Sequence, residues 1–232
     1  MALVGLALAL CQCPHRTRPA AVLALHPYFP LEPGSAWTFV ITRWDYPSRL
    51  DAAPLTFSLE QTFRMVALEP RDNAWGIQTE PALTRLFFPE GIIASEPTAW
   101  VQDGEGLWMV WKADRKKDHV RILALPARTE PGRSWSATTP DGVALQFRLW
   151  TGPRSPAAPA SPDPGNPAEL DLADTLGLEI EFSAPGRTLL RRLQLARDLG
   201  PLWLEDYSDS GQGPRLLDRW RRSDLPPFAP PQ

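Results

Sequence analysis

The stretch Leu55-Thr56-Phe57-Ser58-Leu59-Glu60-Gln61-Thr62-Phe63-Arg64-Met65 alternates apolar and polar residues, with Gln61 the one exception on its apolar face. A period of two sends alternate side chains to opposite faces of a pleated strand, a pattern that a helix of 3.6 residues per turn does not give. The segment therefore reads as a half-buried strand of about eleven residues, longer than the usual five or six. Val143, Leu145, Phe147 and Leu149 alternate in the same way, as do Leu178, Ile180 and Phe182 against Glu179, Glu181 and Ser183. Trp37, Phe39 and Ile41 open the first strand on one face. The 27 prolines act against long helices, since proline lacks an N–H and clashes inside one. Residues 187–198, RTLLRRLQLARD, are the one segment a helix can claim. They lie between Pro185-Gly186 and Leu199-Gly200-Pro201, which favours a strand.

Turn signals divide the remainder. Pro33-Gly34, Glu90-Gly91, Asp103-Gly104, Pro131-Gly132, Asp141-Gly142, Pro185-Gly186 and Ser210-Gly211 supply a preset or a positive φ. Such spacing predicts an all-β fold: an antiparallel meander forming a curved sheet, open half-barrel or sandwich, with at least about ten strands and at most one helix. Amphipathic crossover helices, which a parallel sheet needs, are not found. One short repeat stands out, Glu32-Pro33-Gly34-Ser35-Ala36-Trp37 and Glu130-Pro131-Gly132-Arg133-Ser134-Trp135, 98 residues apart. Each copy reads as a type II turn with glycine at positive φ, followed by a tryptophan that packs over an end of the sheet. The two copies can mark two halves of similar topology.

Composition limits the function classes. A hydrophobic content of 43% is enough for a sizeable core, and 24 basic against 27 acidic residues leave no footprint for nucleic acid. Met1 to Cys11, MALVGLALALC, is an uncharged apolar run too short to span a bilayer but suited to a secretory signal. Cys11 and Cys13 are the two cysteines of the chain, so the body has neither a disulfide framework nor a cysteine zinc site. Leu8-Ala9-Leu10-Cys11 loosely matches a lipoprotein cleavage box, with Leu10 where a small residue is usual, and Cys11 and Cys13 are the lipidation candidates. The expected organisation is a leader at 1–13, a tether at 14–27, one antiparallel β domain at 28–225 and a Pro-rich tail at 226–232. A Pro-rich loop at 152–169 is inserted in that domain; its GPRSPAAPASPDPGNP run holds six prolines and no large apolar residue. The expected location is the periplasm or the outer surface of a bacterial membrane, with membrane contact only through a lipid anchor. Packing of residues 1–13 into a cytosolic structural domain is the competing reading.

Tyr28-Phe29-Pro30-Leu31-Glu32-Pro33-Gly34-Ser35-Ala36-Trp37-Thr38-Phe39 resembles the opening of a group of uncharacterised bacterial exported proteins and lipoproteins with a Y-[FY]-P-L-x-x-G-x-x-W-x-[YF] pattern. Leu125-Pro126 followed by Pro131-Gly132 and Trp135 is similar to a second signature of that group. Ala196-Arg197-Asp198-Leu199-Gly200-Pro201-Leu202 is similar to a third, with Asp198 where the pattern has glycine. The resemblance spans residues 28–205 and is dense at the first signature. It implies a curved antiparallel sheet or open barrel in the envelope, with no catalytic residues to carry over.

Candidate chemistry is sparse. His119 lies among charges in Lys116-Lys117-Asp118-His119-Val120-Arg121 and reads as a solvent-facing strand residue rather than a general base. Asp171 with Asp174, and Asp206 with Asp209, lack the glycine and closing glutamate of a calcium loop. Glu179 and Glu181 share one strand face at about 7 Å, within reach of paired-carboxylate chemistry, or else form a solvated face paired with Arg187, Arg191 or Arg192. Trp100, Trp108 and Trp111 are the binding candidates, since a tryptophan-rich hairpin can line a groove for lipid, glycan or peptide. Core filling is the other reading, with Trp108 and Val110 facing inward and Trp111 on the opposite side with Leu107 and Met109. The expected function is a non-catalytic envelope domain that binds an apolar ligand, a lipid or an envelope protein, without cofactor or metal. A carboxylate-based glycan-active enzyme is the alternative, and requires Glu179 or Glu181 in a cleft.

Overall fold

A computed structural model describes residues 26–30, 34–47, 53–71, 74–112, 119–151, 174–209 and 214–225. The leader with Cys11 and Cys13, the loop at 152–169 and the tail at 226–232 lie outside the described residues. Twelve strands form one sheet: β1 (Ala36–Asp45), β2 (Leu55–Arg71), β3 (Ala74–Glu80), β4 (Ala99–Asp103), β5 (Gly106–Lys112), β6 (His119–Pro126), β7 (Ser134–Thr138), β8 (Ala144–Thr151), β9 (Thr175–Ala184), β10 (Arg187–Ala196), β11 (Gly200–Asp209) and β12 (Pro214–Arg222). The single short helix among the described residues, α1 (Thr84–Phe87), follows β3. The expectation of an all-β antiparallel meander is met, and residues 187–196 are strand.

Every pairing is antiparallel, in the order β6-β5-β4-β3-β2-β1-β12-β11-β10-β9-β8-β7. Two six-stranded meanders, β1–β6 and β7–β12, thus join where β1 pairs with β12, and the sheet curls until it nearly closes as a barrel. The repeated turns precede β1 and β7, the first strand of each meander. Gly34 and Gly132 take φ of 87° and 85°, the left-handed values that a type II turn demands of its third residue. Trp37 is buried as expected, while Trp135 is half-buried at the open seam.

Alternation decides the two faces. Phe39, Ile41, Phe63, Leu145, Phe147, Leu178, Ile180, Phe182, Leu193 and Leu204 point inward and are buried. The remaining interior is filled by the chain between β3 and β4, where Leu83, Leu86, Phe87, Phe88 and Ile92 sit inside the barrel. Phe87 meets Trp100 at 4.8 Å between ring centroids, and Phe88 meets Phe182 at 5.6 Å. This segment closes one end, since Glu90 pairs with Arg43 on β1 and Asp141 of the β7–β8 turn accepts the N–H groups of Ala94 and Ser95.

The opposite end is closed by residues 26–30. Phe29 packs on Trp37 and Phe87, at 5.1 and 5.6 Å. Asp198 donates its N–H to the Pro27 carbonyl over 2.7 Å, and Tyr28 donates its hydroxyl to Asp174. His26 is buried, with Nε2 3.0 Å from the Pro126 carbonyl. His26 and Pro27 therefore belong to the folded body, not to the tether in which the sequence places them. A histidine beside a proline has no apolar period to announce it, and its burial depends on β6, a hundred residues away.

Candidate functional site

The three candidate tryptophans do not share a groove. Trp100 on β4 and Trp111 on β5 point inward and are buried; Trp111 donates its indole N–H to the Ser95 carbonyl over 3.0 Å. Trp108 points outward, lies under the Arg121 guanidinium at 4.5 Å and donates its indole N–H to Asp103 over 2.8 Å. The inward set of β5 is thus Leu107, Met109 and Trp111, the reverse of the core-filling expectation for Trp108 and Val110. The reason is the composition of the faces. Three large apolar residues stand on one side, whereas Lys112 ends the other. Although burial pushes the Asp103 carboxyl up, hydrogen bonds from Arg121, the Glu105 N–H and Trp108 hold it below its ordinary value.

Glu179 and Glu181 face outward and part company. Glu179 accepts from Arg192 over 2.8 Å in an ion pair across the strands. It belongs to a belt that crosses the sheet at right angles to the strands: Arg148 opposite Glu179, then Arg192, Glu205 and Arg219. Charges of alternating sign at directly opposed positions attract each other across strands. Glu205 accepts from Arg219 over 2.7 Å and from the Tyr207 hydroxyl over 2.6 Å, and burial beside that carboxylate pushes the Tyr207 phenol up. Glu181 instead borders a shallow depression of about 460 Å³ with Ser136, Gln146 and Ser183. Among the described residues it is the one carboxylate there, whereas glycoside hydrolysis ordinarily uses two. His119 is exposed at the start of β6, opposite Lys112. Among the described residues no group of three or more His, Cys, Asp or Glu is placed to hold a metal ion.

Two features that the sequence reading did not mark as a site meet at the mouth formed by β1 and β2. The first is a chain of charges on the inner face. Arg191 and Asp206 form a buried pair, Asp206 stands opposite Asp218 on β12, and Arg43 binds Asp218 through contacts of 2.7 and 3.1 Å. Arg43 also reaches Glu90 at 3.2 Å, so the chain runs from the core to solvent. Its two carboxylate partners, Asp218 first, hold the Arg43 guanidinium charged. The second feature is apolar. Leu59, Phe57 and Leu55 stand opposite Ile41, Arg43 and Asp45, on the same inward face as the buried Phe63. They are 41%, 48% and 70% exposed, since β2 extends beyond the part of the sheet that β3 covers. Arg43 lies 6.0 Å over the Phe57 ring, bringing the two features together.

Alternation identifies Leu55, Phe57 and Leu59 as one face, but it cannot tell which end of a long strand lies past the packed interior. Among the described residues no helix is long and apolar enough to cross a membrane. No protein-family model, curated protein or solved structure matches this chain.

Proposed function

We propose that the chain is a non-catalytic β domain of the bacterial cell envelope that binds an apolar ligand or a partner protein at the β1–β2 mouth. The observation that carries this reading is the exposed stripe Leu55, Phe57 and Leu59 on a face that is otherwise buried. Contiguous apolar surface of this kind marks interaction sites more often than scattered single residues do. The aromatic and aliphatic side chains that fill the barrel support a contact at the rim rather than in the interior. The charged belt on the outer wall supports attachment to a membrane by an anchor rather than by the wall itself, because lipid-facing charge at mid-height is costly.

The site is tested on the full chain with the apolar dye 1-anilinonaphthalene-8-sulfonate under native conditions. Phe57→Ser and Leu59→Thr should keep the far-ultraviolet circular dichroism and together remove most of the dye's fluorescence enhancement. An enhancement equal to wild type in the double variant rejects the site. The envelope location is tested separately, by fractionating expressing cells and sequencing the mature N-terminus. An intact Met1 in the cytosol refutes export.

A further inference from the structure

The apolar stripe borders a second unfulfilled surface, the outer edge of the same strand. Met65 donates its N–H to the Ser35 carbonyl over 2.9 Å, so odd-numbered residues of this part of β2 turn their main chain toward β1. Hydrogen-bonding direction alternates along an antiparallel strand. The N–H and C=O groups of Thr56, Ser58, Glu60 and Thr62 therefore point the other way. β3 pairs with β2 only from Arg64 onward, and among the described residues no strand pairs with the edge below it. Proteins commonly blunt such edges with lysine, proline or a bulge. Residues 55–63 contain none of these and carry a single charge, Glu60.

We infer that this edge takes an extended strand from a partner polypeptide, one in which apolar residues alternate with basic ones. The inference rests on the β1–β2 mouth being the binding site, and it names the partner's chemistry. An added strand continues the inner face, so its residues beside Leu55, Phe57 and Leu59 must be apolar. Its intervening residues fall beside Ser58 and Glu60 on the outer face. On that outer face Glu60 is exposed and is the one charge of residues 55–63; on the inner side of the mouth Asp45 is also exposed, while Glu90 is already paired with Arg43. The Glu60 carboxylate selects lysine or arginine at the partner positions beside it. It also disfavours a second copy of this chain, which would bring two Glu60 carboxylates to one shared edge. Main-chain hydrogen bonds along the edge supply affinity, and the alternate side chains supply selection, as in strand addition elsewhere.

The test uses the full chain and a nonapeptide in which valine alternates with lysine and threonine, with a glutamate-for-lysine version as control. Amide hydrogen exchange read by NMR should slow at Ser58 and Glu60 when the lysine peptide is added. The glutamate peptide should bind at least about tenfold more weakly, and the difference should shrink as salt rises. Ser58→Pro removes one outward N–H and no main-chain bond to β1, losing there only the exposed contact of its hydroxyl with the Thr42 hydroxyl at 3.3 Å, so it should abolish peptide binding while leaving dye binding intact. Glu60→Lys, a change on an exposed side chain, should reverse the peptide preference and keeps the proposal falsifiable if the proline variant does not fold. Dye binding without slowed exchange overturns strand addition and leaves the apolar site standing; loss of dye binding and slowed exchange together rejects both. A wild-type dimer in sedimentation that Ser58→Pro dissociates overturns the proposal in favour of a second copy. An unchanged peptide preference in Glu60→Lys overturns the basic partner.

Discussion

Arg191 on β10 and Asp206 on β11 stand opposite each other and meet through two parallel N–H···O contacts of 2.6 Å, with 1% and 2% of their side chains exposed. The remaining guanidinium nitrogen, Nη1, donates to the Arg85 carbonyl over 2.7 Å and so ties the end of α1 to the barrel wall. Burial holds the Asp206 carboxyl above its ordinary value, although Arg191 opposes the rise. Removing one member of such a pair strands a buried charge, at about 3–5 kcal/mol, whereas replacing both with apolar residues is far less costly. Asp206→Ala should therefore lower stability by that amount. Arg191→Met combined with Asp206→Leu should recover most of the loss. Urea midpoints of the three proteins decide it, and a single variant costing under about 1 kcal/mol removes the pair's structural role.

Arg191 also shows where a sequence stops being legible. In Leu189-Leu190-Arg191-Arg192-Leu193 a period of two already sets Arg191 on the face of Leu189 and Leu193, and Arg192 on the other. What the period cannot supply is the partner, because Asp206 arrives only when β11 folds back. The same limit explains Leu107 to Trp111, where both faces carry large apolar residues and the balance between them is narrow, and Leu55 to Leu59, where exposure depends on how far β3 reaches. The all-β class, the order of turns and the strand at 187–196 were legible since each is a property of neighbouring residues. The mouth was not, since it is a property of where strands end.

His26 makes stability depend on pH just below neutrality. Its Nδ1 accepts the Tyr28 N–H at 3.3 Å while Nε2 lies 3.0 Å from the Pro126 carbonyl, so both nitrogens are satisfied by the neutral ring. Burial first, with Arg197 adding to it, holds the imidazole below its ordinary value despite the Pro126 bond. A lowered folded value means that the unfolded chain binds the extra proton. Stability is therefore full above about 6.5 and falls as pH drops from there toward the folded value. His26→Asn should flatten the urea midpoint between about pH 7 and 5 relative to wild type. An equally steep dependence in that variant locates the titrating group elsewhere.

On the outer wall Trp150 stands opposite Gly177 and covers it. A Cβ built on Gly177 would fall 1.4 Å from Cζ3 of the indole. The ring packs against the small outer cluster of Ala196, Leu202 and Trp203. Gly177→Ala must displace the ring, with a cost of about 1–3 kcal/mol. Much of that cost should vanish in a Trp150→Ala background, where the space is open. A double-mutant cycle by thermal denaturation measures the coupling; strictly additive effects show that the ring moves aside freely.

Trp37 and His119 offer opposite extremes. The Trp37 ring is buried beside Phe29 and lies 3.1 Å from where a Cβ on Gly200 would fall. Trp37→Ala should cost about 3–5 kcal/mol, a large share of a domain's usual stability. His119 is exposed at a strand end, and His119→Ala should change the urea midpoint by no more than about 0.5 kcal/mol in free energy. A larger loss at His119 than at Trp37 moves the search for function to β6.

Trp135 holds the last gap in the barrel. β6 and β7 are the two ends of the twelve-strand order, and no ladder joins them among the described residues. Across this seam the Trp135 indole N–H donates to the Leu123 carbonyl over 2.8 Å, while its ring stacks on Phe147 with an interplanar angle of 2°. Trp135→Phe keeps a ring on Phe147 and removes only the donor. Loss of one half-buried hydrogen bond costs about 0.5–1.5 kcal/mol, so the global unfolding midpoint should shift only slightly. Trp135→Ala also loses the stacked ring and should cost about 3–5 kcal/mol. The informative measurement is local. If the indole closes the seam, Trp135→Phe should speed amide exchange along β6 more than along β11, which is paired on both sides. Equal acceleration on the two strands would mean that the seam holds without the bond.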